Sequence, residues 1–210
     1  TGFGYDPERL VITWSRRIAG YKRPNAMFED IMRLQKLLKN TDRPVQLLMA
    51  GKAHASDTAA KKLLQQLIKF MQNELQGHAL FIPNLNIDID KMLVKGSDIW
   101  LNTPIYGNEA SGTSGMKAIA NGVLQVTVED GWAAEVTHWN KYGWTLDANH
   151  IAETFYFRME EDVIPTFFDR DENGVPQEWL KKMKESIELS NRFSTTRMMD
   201  EYISKLYQID

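Results

Sequence analysis

Cysteine is absent from the 210 residues. Disulfides and thiolate metal sites are thereby excluded. A basic excess is missing as well: 25 Lys and Arg against 28 Asp and Glu leave a formal net charge of −3. A surface for the phosphate backbone of nucleic acid usually needs the opposite balance, so nucleic acid is not an expected partner. No apolar run reaches the roughly 20 residues that span a bilayer, and no secretory apolar stretch is present. No membrane partner is expected, and the cytoplasm is the default location. His54, His78, His138 and His150 show no metal-ligand spacing, and the acidic turn DRDENGVP (Asp169 to Pro176) lacks an EF-hand pattern. No metal is expected. The chain opens on TGFGYDPERL, without Met, as a fragment of a longer protein would.

What is present is a globular composition, 43% hydrophobic and 10% aromatic, in a length that suits one well-buried domain. Strand-like and helix-like segments alternate. LVITW (Leu10 to Trp14) is a β-branched run, and Pro24 stands where a helix can begin. Met27, Phe28, Ile31, Leu34, Leu37 and Leu38 then follow a helical period. VQLLMAG reads as a buried strand. DTAAKKLLQQLIKFMQNEL reads as a helix with Asp57 as its N-cap. HALFIPN is a third strand, IDKMLVKGS a helix, IWLNTP a fourth strand, SGMKAIANG a helix closed by Gly122, and VLQVTVEDG a fifth strand. This alternation predicts an α/β fold, a doubly wound parallel sheet of the Rossmann-like kind. From Asn149 onward the pattern is helical, in AETFYFRMEEDVIPTFF, QEWLKKMKESIEL and TTRMMDEYISKLY. The expected organisation is a core over residues 1–148 and a helical C-terminal cap over 149–210, packed on the same domain.

In such a sheet, ligands bind beyond the carboxyl ends of the strands. Two polar clusters fall there. Arg16, Arg17, Tyr21, Lys22 and Arg23 follow the first strand; Asn108, Glu109, Ser111, Gly112, Thr113, Ser114 and Lys117 follow the fourth. Cations at one strand end and free N–H groups at a nearby helix N-terminus make an anion site. The segment GTSGMK is not a nucleotide P-loop, because Met116 separates Gly115 from Lys117. No G-x-G-x-x-G follows the first strand. Lys117 has two readings at this level. It is a solvated helix lysine, the usual fate of the residue, or a Schiff-base lysine beside a phosphate-bearing aldehyde cofactor. Trp132, Trp139 and Trp144 read as packing residues before sugar-stacking ones.

The segment EASGTSGMKAIANG resembles the pyridoxal-phosphate lysine segment of the α-glucan phosphorylases, the glycogen, starch and maltodextrin enzymes. SRRIAGYKR is similar to their basic phosphate-binding segment. MAGKAH, GSDIWLNTP and DGWAAEV match most closely the short bacterial and archaeal form, and FSTTRMMDEYISKLY resembles the closing helices. The resemblance implies the C-terminal half of a GT-B glycosyltransferase. It implies phosphorolysis of an α-1,4-glucan, in which inorganic phosphate releases α-glucose 1-phosphate with retention. It also implies pyridoxal phosphate as cofactor, tethered by Lys117, with Arg16 and the N–H groups of Thr113 and Ser114 on its phosphate. Lys22 would lie between the two phosphates, Arg17 would grip the substrate phosphate, and both would be catalytic. Glu109 and the N–H groups of Ser111 and Gly112 would hold the glucosyl hydroxyls.

Two departures stand out. Longer phosphorylases carry Asn-Tyr-Arg after the third strand and the short form an acidic–aromatic pair, where this chain has Asn84, Leu85 and Asn86. An aromatic contact and a charge are missing there, which implies a looser or differently tuned pocket. Asn108 replaces an apolar residue of the short form. The resemblance further implies that the glucan-binding N-terminal domain of the full-length chain lies outside these 210 residues, that the fragment alone is inactive, and that the full-length form can be a homodimer. The competing expectations are a GT-B synthase using a nucleotide sugar, which needs no lysine in this loop, and a non-catalytic sugar- or phosphate-binding module.

Overall fold

The structure, a computed structural model, describes residues 4, 6 and 8–207. The outermost residues of the expected spans 1–148 and 149–210 lie outside the described residues. Six strands form one sheet: β1 (Leu10–Ser15), β2 (Val45–Ala50), β3 (Ala79–Ile82), β4 (Ile99–Asn102), β5 (Leu124–Val128) and β6 (Gly143–Leu146). Their order is β3-β2-β1-β4-β5-β6, and every pair is parallel. The strand order reverses between β1 and β4, where Ile12 pairs with Ile99 and Thr13 with Trp100.

The strands are apolar on both faces because helices cover both faces. Side chains alternate across the pleat. Leu10, Ile12 and Trp14 of β1 join one core with Leu47, Met49, Leu34, Leu67, Phe155 and Tyr156. Val11 joins the opposite one with Leu48, Trp100, Leu93 and Ala118. The helices on these faces are α1 (Ile31–Leu38), α2 (Thr58–Asn73), α3 (Ile87–Lys95) and α4 (Thr113–Ala120). Asp30, Asp57 and Asn86 cap α1, α2 and α3 by accepting from backbone N–H groups of the first turns.

The helix expected from Pro24 begins later. Arg23 has φ 45, a left-handed conformation that turns the chain, and Ala26–Phe28 form a single 3-10 turn before Asp30 caps α1. A sixth strand, β6, extends the sheet beyond the five read from the sequence. The late helices are α5 (Ile151–Arg158), α6 (Ile164–Phe168), α7 (Gln177–Ser190) and α8 (Thr195–Glu201). A π-helical stretch, Met159–Val163, joins α5 to α6, and another, Tyr202–Tyr207, follows α8. Arg33 of α1 grips Glu160 of the first π stretch through two bonds of 2.9 and 2.6 Å. α7 lies along α4, with Met183 and Ile187 beside Gly122. Trp179 of α7 lies tilted at 6.0 Å from Trp144 of β6 and edge-on at 5.0 Å from Phe167 of α6. Trp132, Trp139 and Trp144 are all buried. Among the described residues no helix is long and apolar enough to cross a membrane.

Candidate active site

The two polar clusters meet at the reversal of strand order. Residues 16–23 leave β1 and residues 103–112 leave β4, so both loops rise from the carboxyl ends of the central strands. At the centre are three side chains. Arg16 Nη2 donates to Glu109 Oε2 at 2.5 Å, and Lys22 Nζ donates to Glu109 Oε1 and Oε2 at 3.1 and 2.9 Å. The Arg16 and Glu109 side chains are 5% and 9% exposed. Burial pulls the Arg16 guanidinium below its usual range, and the Glu109 charge opposes that pull. One carboxylate therefore pairs with two buried cations, which eases their burial and leaves the trio with one net positive charge.

Neighbouring loops hold these members in place. Glu109 N–H donates to Asp130 Oδ2 at 3.0 Å, and Asp130 Oδ1 accepts from Gly131 N–H. Trp132 N–H donates to Ser111 O at 2.9 Å. Gly131 has φ 59, and a Cβ there would lie 2.5 Å from Ser111 O, so only glycine permits this approach. Arg23 pins the basic loop. Its Nε donates to Thr103 O at 3.1 Å, its Nη2 to Pro104 O at 2.5 Å and its Nη1 to Ala148 O at 3.0 Å. Thr103 Oγ1 lies 3.0 Å from both Lys22 O and Arg23 O.

α4 begins at the same point. Gly112, at φ 83, is its N-cap and offers no capping side chain. The N–H groups of Thr113 and Ser114 have no acceptor within the helix, as first-turn groups never do. Ser114 Oγ is turned inward to accept from Trp100 Nε1 at 3.3 Å. Arg16, Arg17, Lys22, Glu109, Gly112, Thr113 and Ser114 line one open depression of about 320 Å³. Arg17 is exposed and donates to Tyr21 Oη at 3.3 Å. Burial raises the Tyr21 phenol, but the bonds from Arg17 and Lys22 outweigh it and the net shift is downward.

Seven of the residues singled out from the sequence thus converge. Ser111 and Lys117 do not line this depression. Ser111 is exposed beside it. Lys117 lies one turn along α4 from Thr113, is 51% exposed at its side chain, and pairs with Asp90 of α3. Asn84 and Asn86 have local roles: Asn84 takes φ 57, and Asn86 caps α3 through bonds to Asp88 and Ile89 N–H. Leu85 packs beside the α3–α4 core. Sequence reasoning does not single out Asp130. Its place directly after β5, beside the reversal, was the available signal.

The site fits the similarity of the chain to known proteins. A sequence profile for carbohydrate phosphorylases matches residues 1–143. The chain is 40% identical to a glycogen phosphorylase of Aquifex aeolicus (strain VF5) over 216 residues, covering 98% of this chain and 31% of that protein. It is 37% identical to a maltodextrin phosphorylase of Thermococcus litoralis, covering 96% of this chain and 25% of that protein. A glycogen phosphorylase of Mycobacterium tuberculosis (strain H37Rv) is 35% identical over 97% of this chain and 25% of its own length. The chain therefore spans between a quarter and a third of these relatives. With a parallel α/β sheet, a buried cation–carboxylate cluster at its reversal and a matched profile over most of its length, this chain belongs to the carbohydrate phosphorylase family.

Proposed function

We propose that these 210 residues supply the cofactor- and phosphate-binding half of an α-1,4-glucan phosphorylase, within a protein of the relatives' full length. The observation that carries this reading is the convergence of Arg16, Lys22 and Glu109 on the N-terminus of α4. Two close phosphate groups repel strongly in a water-poor site, so a phosphorolytic centre needs clustered cations and oriented N–H groups. Here the cations follow β1 and the N–H groups follow β4, which are neighbours in the sheet.

Pyridoxal phosphate fits the donor set. Gly112 leaves the α4 N-terminus uncovered, and Arg16 and Lys22 line the depression beside it. Arg16 and the N–H groups of Thr113 and Ser114 would hold the cofactor phosphate, and Lys117 would tether the aldehyde. When bound, the cofactor would supply a phosphate group able to give and take a proton beside the substrate phosphate. Lys22 would lie between the two phosphates. Arg17, exposed at the mouth, would take the incoming inorganic phosphate or the departing glucose 1-phosphate. Glu109, with the N–H groups of Ser111 and Gly112, would accept and donate to glucosyl hydroxyls. The glucan would be held across the cleft by an N-terminal domain of the same full-length chain, and the 210 residues alone would be inactive. Residues 1–148 would form the cofactor-binding core and 149–210 a helical extension of that domain. A cytoplasmic homodimer is the proposed full-length form.

The exposed pairing of Lys117 with Asp90 does not obstruct this, because exposed ion pairs contribute only about 0–1 kcal/mol. It is also the observation that favours a second reading, a sugar- and phosphate-binding module without cofactor. Titration with pyridoxal phosphate, borohydride reduction and peptide mass mapping separates the two, on this chain and on the longer protein. A single adduct at Lys117 in the longer protein is expected. Its absence there selects the cofactor-free module or a nucleotide-sugar synthase.

A further inference from the structure

We propose that Asn102 is a positioning residue for Arg16, acting through one buried water held between them. The functional half of this inference rests on reading Arg16 as a phosphate ligand; the water rests on geometry alone.

Asn102 ends β4 and Arg16 follows β1, on the two strands that flank the reversal. The residues are 4% and 7% exposed. Each carries one buried polar atom with no hydrogen-bond partner among the described residues: Asn102 Oδ1, an acceptor, and Arg16 Nη1, a donor. The amide orientation follows from the network around it. Gln125 Nε2 donates to Val123 O at 3.4 Å, so Gln125 Oε1 is the atom that accepts from Asn102 Nδ2 at 3.2 Å. Asn102 Oδ1 is then left for another partner. Arg16 Nη2 is already committed to Glu109.

Both residues line a narrow, partly open cleft with room for about 10 Å³, together with Glu109, Gly112, Thr127, Asp130 and Trp132. That is about one probe sphere, the least space that holds a water molecule. A guanidinium donor, an amide acceptor and the Asp130 carboxylate supply the two to four polar partners a buried water needs. A phosphate or a sugar is too large for the space. An unfilled cavity would leave a donor and an acceptor both buried and unpaired, which native interiors avoid.

Arg16 lines both this cavity and the open depression above it. A guanidinium anchored at one nitrogen can still swing about that bond. Anchored at Nη2 by Glu109 and at Nη1 by the water, its plane is fixed, and a fixed planar fork is what gives arginine its selectivity for phosphate. Asn102 thereby sets the presentation of Arg16 without touching the anion.

A crystal structure of this chain with ordered solvent tests the bridge. One water within hydrogen-bond distance of both Asn102 Oδ1 and Arg16 Nη1 is expected; an empty cavity or a direct contact between the two atoms overturns it. Asn102→Leu and Asn102→Ala, made in the longer protein, test the consequence, by absorbance titration with pyridoxal phosphate alongside thermal melts. Leucine fills the space and removes the acceptor, and should weaken binding about ten-fold, the loss of a hydrogen bond to a charged group. Alanine admits a second water and should stay within about three-fold of wild type, since a bridging water is nearly as good as a direct bond. A merely structural asparagine predicts the reverse: alanine melts lower because it leaves a void, and affinity is equal in both variants. Equal affinity of wild type and Asn102→Leu overturns the positioning role. A wild type that binds no pyridoxal phosphate overturns the reading of Arg16 itself, while the crystal still decides the water.

Discussion

Asp98 provides a test of the electrostatic reasoning away from the site. It lies just before β4, at the opposite end of the sheet from the depression. Its Oδ2 accepts from Val11 N–H at 2.8 Å, its own N–H donates to Val11 O, and its carbonyl accepts from Leu124 N–H. It thus ties β1, β4 and β5 together. Burial raises its carboxyl from 3.8 to about 6, against the opposing influence of the Val11 bond and of Arg170. A shift of that size corresponds to about 3 kcal/mol, and partial exposure reduces it to about 1–2 kcal/mol. The sign follows from linkage. The folded state prefers the protonated form, so the contribution of Asp98 to stability is fully present below 3.8 and is lost as pH rises through 6. Asp98→Asn keeps an acceptor for Val11 N–H and removes the charge. The variant should equal wild type near pH 3.5–4 and exceed it by about 1–2 kcal/mol at pH 7.5. For a chain of this length that is about 2–8 °C in Tm. The difference between the two melting curves across pH isolates this one group. A variant less stable than wild type at pH 7.5, or a difference that does not change between pH 4 and 7, would refute the reasoning.

Three further outcomes follow from named contacts. Arg23→Met keeps the stem but abandons three backbone carbonyls, and should lower stability by about 2–3 kcal/mol in chemical denaturation; it should also weaken pyridoxal phosphate binding, because the loop carrying Lys22 loses its anchor. Glu109→Gln removes the carboxylate that competes for Arg16 and Lys22. Inorganic phosphate should bind this chain several-fold more tightly by calorimetry, with the dependence on salt becoming steeper; unchanged affinity would show that Glu109 does not occupy the anion site. Tyr156→Phe deletes a buried hydroxyl lying 2.5 Å from Met27 O and 2.8 Å from Asp30 O. It should cost about 1–2 kcal/mol in thermal unfolding and leave anion binding unchanged.

Much of the fold was legible because its signals are local. β1, β2, β4 and β5 are short apolar runs, and α2 has both its period and its Asp57 cap in plain view. The N-terminal part of the helix expected after Pro24 was not legible correctly. Apolar spacing at Met27 and Phe28 is compatible with a helix, but Asp30 caps α1 and splits the 3-10 turn Ala26–Phe28 from it, while Arg23 turns the chain ahead of Pro24 and is held by carbonyls of residues 103, 104 and 148. β6 went unread because four residues beginning with glycine carry no period of their own; pairing with β5 makes them a strand.

At the site, the sequence alone determined the chemistry: cations in one loop, a carboxylate, small residues and a lysine in another, both after strands. Residue type and order along the chain are enough for that, and enough to place the chain near the phosphorylases. Only the tertiary structure decided which groups touch. Arg16 and Glu109 are 93 residues apart in the chain and 2.5 Å apart in space, because β1 and β4 are neighbours in the sheet. The same adjacency gives Arg16 and Asn102 a shared cavity, and the packing of α3 on α4 gives Lys117 its pairing with Asp90. None of these follows from spacing, since the order of strands in a sheet is set by which faces bury together and not by their sequence in the chain.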